Sequence, residues 1–172
     1  MRYTENAKIV AESKKKVDKA FRDYFKRIEK SSQIKVPAKE LSYDAFFQNK
    51  MLIIYAIRAG FSYHLFSLIK EITPFSESDW AEYLNLSIKT LQRHKQEENY
   101  HFKPIHTEKI IELAEVTKFG EVVFDSLEQF YAWLSTPSYA LGNLKPSELL
   151  KDSYGKELVM AELNRIEHGI FA

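Results

Sequence analysis

Apolar residues along this chain recur at steps of three and four and hardly anywhere at steps of two, and that spacing predicts helices. Between residues 4 and 30 the set Ile9, Val10, Val17, Phe21, Tyr24, Phe25 and Ile28 makes one stripe on an otherwise basic helix. SSQIKVPAKELS (31–42) reads as a connector, because the ring of Pro37 forbids a continuous helix. Ser42 is placed to cap a second helix, YDAFFQNKMLIIYAIRA, which Gly60 ends. A third runs from about Ser62 to Ile72, and TPFS separates it from the next helix.

Shorter elements come next. Residues 77–84 and 88–97 read as helices, and a longer one starts near Thr107 with a bend expected at Gly120. Ser126 with Gln129 three residues on is a capping-box pattern opening LEQFYAWL. STPSYALGNLKPS is a loop, Pro146 suits the first turn of a brief helix, and Ser153 is the expected cap of a last helix over 154–168. Trp133 and the cluster Phe119, Phe124, Phe130 and Tyr131 fall at helical spacing and read as core. No strand pair or repeat stands out, so the predicted fold class is all-α, a helical bundle.

SESDWAEYLNLSIKTLQRHKQE (76–97) carries the clearest local design. Ser76 caps with Asp79 at the capping-box position, and Trp80, Ala81 and Leu84 share one face. Asn85-Leu86 makes a tight turn, since Asn tolerates left-handed geometry. Ser87 caps a second helix with Ile88 and Leu91 as its inner face, leaving Lys89, Thr90, Gln92, Arg93 and Lys95 outward. Two short helices, a tight turn and a small residue at the crossing form a helix-turn-helix pattern. Lys89, Thr90, Gln92 and Arg93 are the residue types that read base edges, while Ser87 and Lys95 suit phosphates. The expected ligand is double-stranded operator DNA.

Charge sharpens this picture. Residues 1–50 hold 13 Lys and Arg against 7 Asp and Glu, whereas the remainder holds 12 against 17, although the whole chain is only +1. A basic end points to nucleic acid, and a solvated Lys-rich helix accounts for the same asymmetry equally well. With 45% hydrophobic residues there is enough apolar surface for a packed core. The absence of cysteine removes disulfides, thiolate metal sites and cysteine nucleophiles. MLIIYAI (51–57) is too short to span a bilayer and the N-terminus lacks a signal-peptide pattern, so no membrane role and a cytoplasmic location are expected. Neither the five histidines nor the scattered carboxylates make a metal or acid–base motif, and no nucleotide fingerprint or nucleophile elbow occurs. The chain is expected to be no enzyme, with no cofactor and no metal.

From WLSTPSYALGNLKPSELLKDSYGKELVMAELNRIEHGIFA (133–172) the sequence resembles the toxin-binding domain of Xre/MbcA/ParS-type antitoxins. The resemblance rests on Trp133-Leu134, Pro137, Ala140-Leu141-Gly142, Pro146, Leu149-Leu150, Gly155 and Arg165-Ile166-Glu167-His168-Gly169. Asn143 stands where a second glycine is common and Ser153 where threonine is common; both still permit the needed turn and cap. The helix-turn-helix precedes this region as in the family. The resemblance covers about residues 50–172 and implies an Xre-like helix-turn-helix domain (50–120) and a toxin-binding domain (121–172); residues 1–49 lie outside it and read as a basic helical extension.

It further implies a partner, a RES-domain toxin that degrades NAD or transfers ADP-ribose from it. Antitoxins of this kind mask the toxin's active site and repress their own operon, commonly as homodimers within a larger complex, and the resemblance implies the same here. Toxin contacts are expected from Leu141, Gly142, Pro146, Arg165, Glu167, His168, Gly169, Ile170, Phe171 and Ala172. Helix 154–168 would supply the approach, Gly169 the exit and Ile170-Phe171-Ala172 an apolar plug, with Arg165 and Glu167 anchoring the rim. Phe171 tucked against Leu163 or Ile166 is the competing reading of that tail. A stand-alone regulator without a toxin is the alternative for the whole chain. For residues 1–49 the expectation is a basic helix that strengthens DNA binding or supports oligomerisation.

Overall fold

Most of the described helices begin where a short polar side chain accepts the orphan N–H groups of a first turn. The computed structural model describes residues 2–32 and 41–169, without the side chains of 2–11, 31 and 32. Among the described residues the fold is all-α: α1 (Arg2–Ser32), α2 (Tyr43–Phe47), α3 (Lys50–Ala59), α4 (Tyr63–Glu71), α5 (Glu77–Tyr83), α6 (Ile88–Gln96), α7 (Pro104–Val123), α8 (Leu127–Leu134), a 3-10 turn (Tyr139–Leu141), α9 (Pro146–Leu149) and α10 (Ser153–Glu167). They form two compact units, one of Met1–Ile72 with His94–Glu108 and one of Thr73–Arg93 with Lys109–Ala172. These units cut the chain elsewhere than at 49/50 and 120/121, with boundaries inside α6 and α7.

The first unit closes around the stripe on α1. Val17, Phe21, Tyr24, Phe25 and Ile28 are all buried. Phe21 lies 4.9 Å from Phe46, 5.6 Å from Tyr43 and 5.9 Å from Phe61, ring centre to ring centre, in tilted and edge-on arrangements. Polar groups on the same helix set the start of α2: Tyr43 donates its N–H to Asp18 Oδ1 (2.7 Å), and Arg22 Nη1 donates to Leu41 O (3.3 Å). The apolar stripe of this basic helix is therefore used inside its own unit. Ile9 and Val10 lie outside the described side chains.

The expected single helix over 43–59 is in fact two. Asn49 Oδ1 accepts the N–H groups of Met51 and Leu52, so Asn49 caps α3 and breaks the run. An asparagine side chain competes for backbone donors in this way. Gly60 ends α3 at φ +79°, and a Cβ there would stand 2.3 Å from Phe102 O. That close approach lets Phe102 donate to Phe61 O (2.8 Å) and Tyr63 to Tyr100 O (3.1 Å). Buried Thr107 completes the joint by accepting the Phe61 N–H at 3.0 Å.

The second unit is built on α7, α8, α9 and α10. Lys109 Nζ lies 2.6 Å from Glu112 Oε2 and donates to Leu150 O (3.2 Å), and Lys156 pairs with Glu115. Gly155 allows α10 to start against α9, because a Cβ would fall 1.9 Å from Leu149 O. Gly120, inside α7, makes room for the Phe130 ring, which a Cβ would meet at 2.5 Å. Three details differ from expectation. The helix predicted from Thr107 begins at Pro104, because proline needs no donor in a first turn. Asp152, not Ser153, caps α10, its Oδ1 taking the Gly155 N–H at 2.7 Å. Tyr131 is exposed instead of core, while Phe130 and Leu134 on the same helix are buried. No described helix is long and apolar enough to cross a membrane.

Candidate nucleic-acid and toxin interfaces

The helix-turn-helix is assembled by local bonds. Ser76 Oγ accepts the Asp79 N–H (3.1 Å) while Asp79 Oδ2 accepts the Ser76 N–H (2.8 Å), a reciprocal capping box. α5 then ends in a Schellman turn: Leu86 donates to Ala81 O (2.9 Å), Asn85 donates to Glu82 O (3.0 Å), and Asn85 has φ +52°. Ser87 Oγ takes the Thr90 N–H at 3.0 Å and shares a hydrogen bond with Thr90 Oγ1 at 2.8 Å. Trp80, Ala81, Leu84 and Leu91 are buried.

The inner face of α6 differs from expectation at one turn. Ile88 is 45% exposed, and the residue buried along with Leu91 is His94. His94 stacks on Tyr100 with ring centres 3.7 Å apart and holds Glu97 Oε2 at 3.3 Å. An imidazole with one flat face and one polar edge can be buried against a ring while its edge stays paired. Lys89, Gln92, Arg93 and Lys95 are exposed, as are Ile88 and the helix-capping Ser87, while Thr90 is half-buried.

α5 also belongs to the second unit's polar network. Tyr83 donates to Ser147 O (3.0 Å), Tyr131 donates to Asp79 Oδ2 (3.3 Å), and Lys151 pairs with Glu82 at 2.7 Å. Burial, then the carboxylates of Asp79 and Glu82 and the neighbouring Tyr131, hold the Tyr83 phenol above the ordinary tyrosine range. Tyr131 is raised as well, by burial first and then by Asp79.

In the C-terminal part, Ser138 donates to Leu144 O (3.0 Å) and Asn143 donates to Ser138 O (2.8 Å), pinching off the 3-10 turn. Gly142 and Asn143 hold φ +68° and +61°, so asparagine does adopt the conformation usually left to glycine. Leu141 is half-buried and Pro146 buried at the first turn of α9. At the far end of α10, Arg165 is paired with Glu162 (3.2 Å), His168 holds its Nδ1 2.7 Å from Asn164 O, and Glu167 is exposed. Gly169 takes φ +67°, the left-handed conformation with which a helix stops. Ile170, Phe171 and Ala172 lie outside the described residues.

The expected toxin contacts thus fall into two groups. α9 packs on the start of α10 at Gly155, and ten residues of helix, about 15 Å, carry the chain on to Arg165. A further set escaped sequence reading: Tyr139, Leu144, Tyr154 and Leu158 are all exposed, Tyr139 and Tyr154 by more than 80%. Tyr154 and Leu158 are four apart and share one face of α10, while Val159 and Leu163 fill the buried one. Two apolar faces on a single helix are the signal that the sequence held.

Among the described residues no cluster of His, Asp and Glu is arranged to hold a metal ion. A search of curated proteins finds no significant match. Two family models do match. Residues 53–115 match the antitoxin Xre-like helix-turn-helix domain, and residues 120–169 match the antitoxin Xre/MbcA/ParS C-terminal toxin-binding domain. With both domains in family order, the first around a capped helix-turn-helix and the second around the Gly142 turn and α10, the chain belongs to the Xre-type antitoxins, DNA-binding antitoxins of toxin–antitoxin systems.

Proposed function

We propose that this antitoxin masks the active site of a RES-domain, NAD-consuming toxin and represses its own operon. The observation that carries the proposal is the pairing, in one chain, of an α6 with exposed Lys89, Gln92, Arg93 and Lys95 and a toxin-binding domain matched over 120–169. Residues 50–120 would serve DNA and 121–172 the toxin. In α6, Lys89, Thr90, Gln92 and Arg93 face the bases and Ser87 and Lys95 the phosphates. The Ser87–Thr90 hydrogen bond holds the first turn of α6 in the form that presents its N–H groups to an anion. A homodimer on a pseudo-palindromic operator is expected, because one short helix buries too little surface for tight binding.

The exposed left-handed Gly169 supports a tail that leaves α10 sharply, with Ile170-Phe171-Ala172 as the apolar plug for the toxin's NAD pocket. Leu141, Gly142, Arg165, Glu167 and His168 make the remaining toxin contacts, while Pro146, buried in the first turn of α9, acts by fixing the loop that carries Leu141 and Gly142.

Deletion of residues 170–172 tests this. Loss of toxin neutralisation in co-expression, with operator binding and thermal midpoint retained, is the expected result, and full neutralisation by the shortened chain sinks the plug. Arg93→Ala should cost about 1–3 kcal/mol of operator binding and relax preference at one base pair. A neighbouring gene without a RES-type product would leave only the repressor half standing.

A further inference from the structure

The first unit contains a groove of about 760 Å³ that neither the helix-turn-helix pattern nor the toxin-binding pattern accounts for. One wall is α1, with Asp23, Tyr24 and Arg27; the other is the end of α6 and the turn after it, with Lys95, Glu97 and His101. Both walls are held firmly. The Tyr24 hydroxyl lies within hydrogen-bond distance of Ala56 O (3.2 Å) and Gly60 O (3.0 Å), which pins α1 one turn before Arg27. The bonds from Tyr63 to Tyr100 O and from Phe102 to Phe61 O fix the opposite wall.

Its charges are unequal in what they can still do. Asp23 stands 4.0 Å from Lys26 and Glu97 3.3 Å from His94, so both acids already face a partner. Among the described residues Arg27 and Lys95 form no ion pair. His101 holds its Nδ1 2.8 Å from the Asn99 carbonyl, which orients the ring at the groove's edge. Two unpaired cations on separate rigid elements, across an open groove, are suited to anionic oxygens. Lys95 stands two residues beyond Arg93 on the helix that the proposed function assigns to DNA, so an anion reaching Lys95 belongs most simply to the same duplex.

We propose that Arg27 and Lys95 clamp backbone phosphates of bound double-stranded DNA, making α1, which lies outside both matched segments, part of the DNA-binding surface. This rests on the helix-turn-helix reading and adds to it a contact from a helix that no family pattern includes.

The test uses the full chain and a labelled random-sequence duplex of about 30 base pairs, with affinity followed by anisotropy across roughly 50–200 mM salt. Each phosphate contact contributes about 0.9 to the slope of log affinity against log salt, so Arg27→Gln and Lys95→Gln should each flatten it by about 0.9 and the double variant by about 1.8. Arg27→Lys should keep the wild-type slope. Lys19→Gln removes one exposed charge from α1 outside the groove and should leave the slope unchanged. A wild-type slope in the double variant overturns the clamp, and so does an equal change from Lys19→Gln, which would make the effect one of charge count. Calorimetry with pyrophosphate separates a free phosphorylated ligand from DNA: binding lost in the double variant while its DNA slope stays wild-type also overturns the proposal. If the wild-type chain shows no salt-dependent affinity for the duplex, the helix-turn-helix reading falls too; unchanged slopes with wild-type binding intact remove the clamp alone.

Discussion

Both compact units contain clusters of rings, but the second adds to its Phe75–Trp80 and Phe124–Phe130–Trp133 clusters two devices of another kind. In the first, rings do the packing: Phe21, Tyr24, Phe25, Tyr43, Phe46 and Phe61 meet at centre distances of 4.9 to 6.5 Å. In the second, helices are held at close range by a missing Cβ at Gly155 and by the partly buried pairs Lys109–Glu112 and Lys156–Glu115. The contrast bears on the family. The matched Xre-like segment starts at residue 53, yet Phe21, Tyr24, Phe25, Tyr43 and Phe46 precede it and form much of that unit's core. A helix that composition marks as a basic extension is, by its packing, structural.

The largest effect expected is from Phe21→Ala, at about 3–5 kcal/mol, because it opens a cavity that four neighbouring rings cannot fill together. Both tryptophans, Trp80 and Trp133, lie in the second unit, so their fluorescence reports that unit while far-UV circular dichroism reports the whole chain. Phe21→Ala should bring the dichroism transition to lower denaturant ahead of the fluorescence transition. Coincident transitions would mean that the units unfold together, and a cost below about 1 kcal/mol would return α1 to the status of an appendage.

Gly155→Ala should cost about 3 kcal/mol, since the new methyl meets backbone and not a side chain able to turn away. Here fluorescence should lead. A neutral outcome would show that α9 and α10 separate more easily than their spacing implies. Thr107→Val keeps the shape but strands the Phe61 N–H, and about 1–2 kcal/mol should be lost from the first unit. Amide exchange at Phe61 and Phe102 should quicken; protection equal to wild type would show that the hydroxyl is dispensable.

The smallest effect is a pH dependence in the first unit. Burial, then the positive charges of Lys103 and His94, lower the His106 pKa from the ordinary 6.5. The unfolded chain therefore takes up the proton first. The contribution of neutral His106 is complete above about pH 6.5 and is lost as pH falls toward the folded-state value. The thermal midpoint should drop on acidification, and His106→Gln should reduce that drop. A variant that keeps the full wild-type drop would assign the dependence to other groups.

Sequence alone determined most of the helix ends in this protein. Ser42, Ser76, Ser87 and Ser126 all cap as expected, and Asn85, Gly60 and Gly169 take the left-handed conformations that their positions called for. These outcomes depend on atoms three or four residues apart, so a linear reading contains all the partners. The family motifs were legible for the same reason: Gly142 and Pro146 act within their own turn. Beyond reach was any choice between two local options that a distant surface settles. Asp152 caps α10 while the hydroxyl of Ser153 reaches across to Glu112 (2.8 Å), a partner 41 residues away. His94 turns inward and Ile88 outward because Tyr100 supplies a flat face for the imidazole, which no spacing rule along α6 contains. An apolar stripe on a basic helix reads the same whether it awaits a partner or fills a core. Only the tertiary structure decided that question for α1, because burial belongs to the pair of surfaces and not to either one.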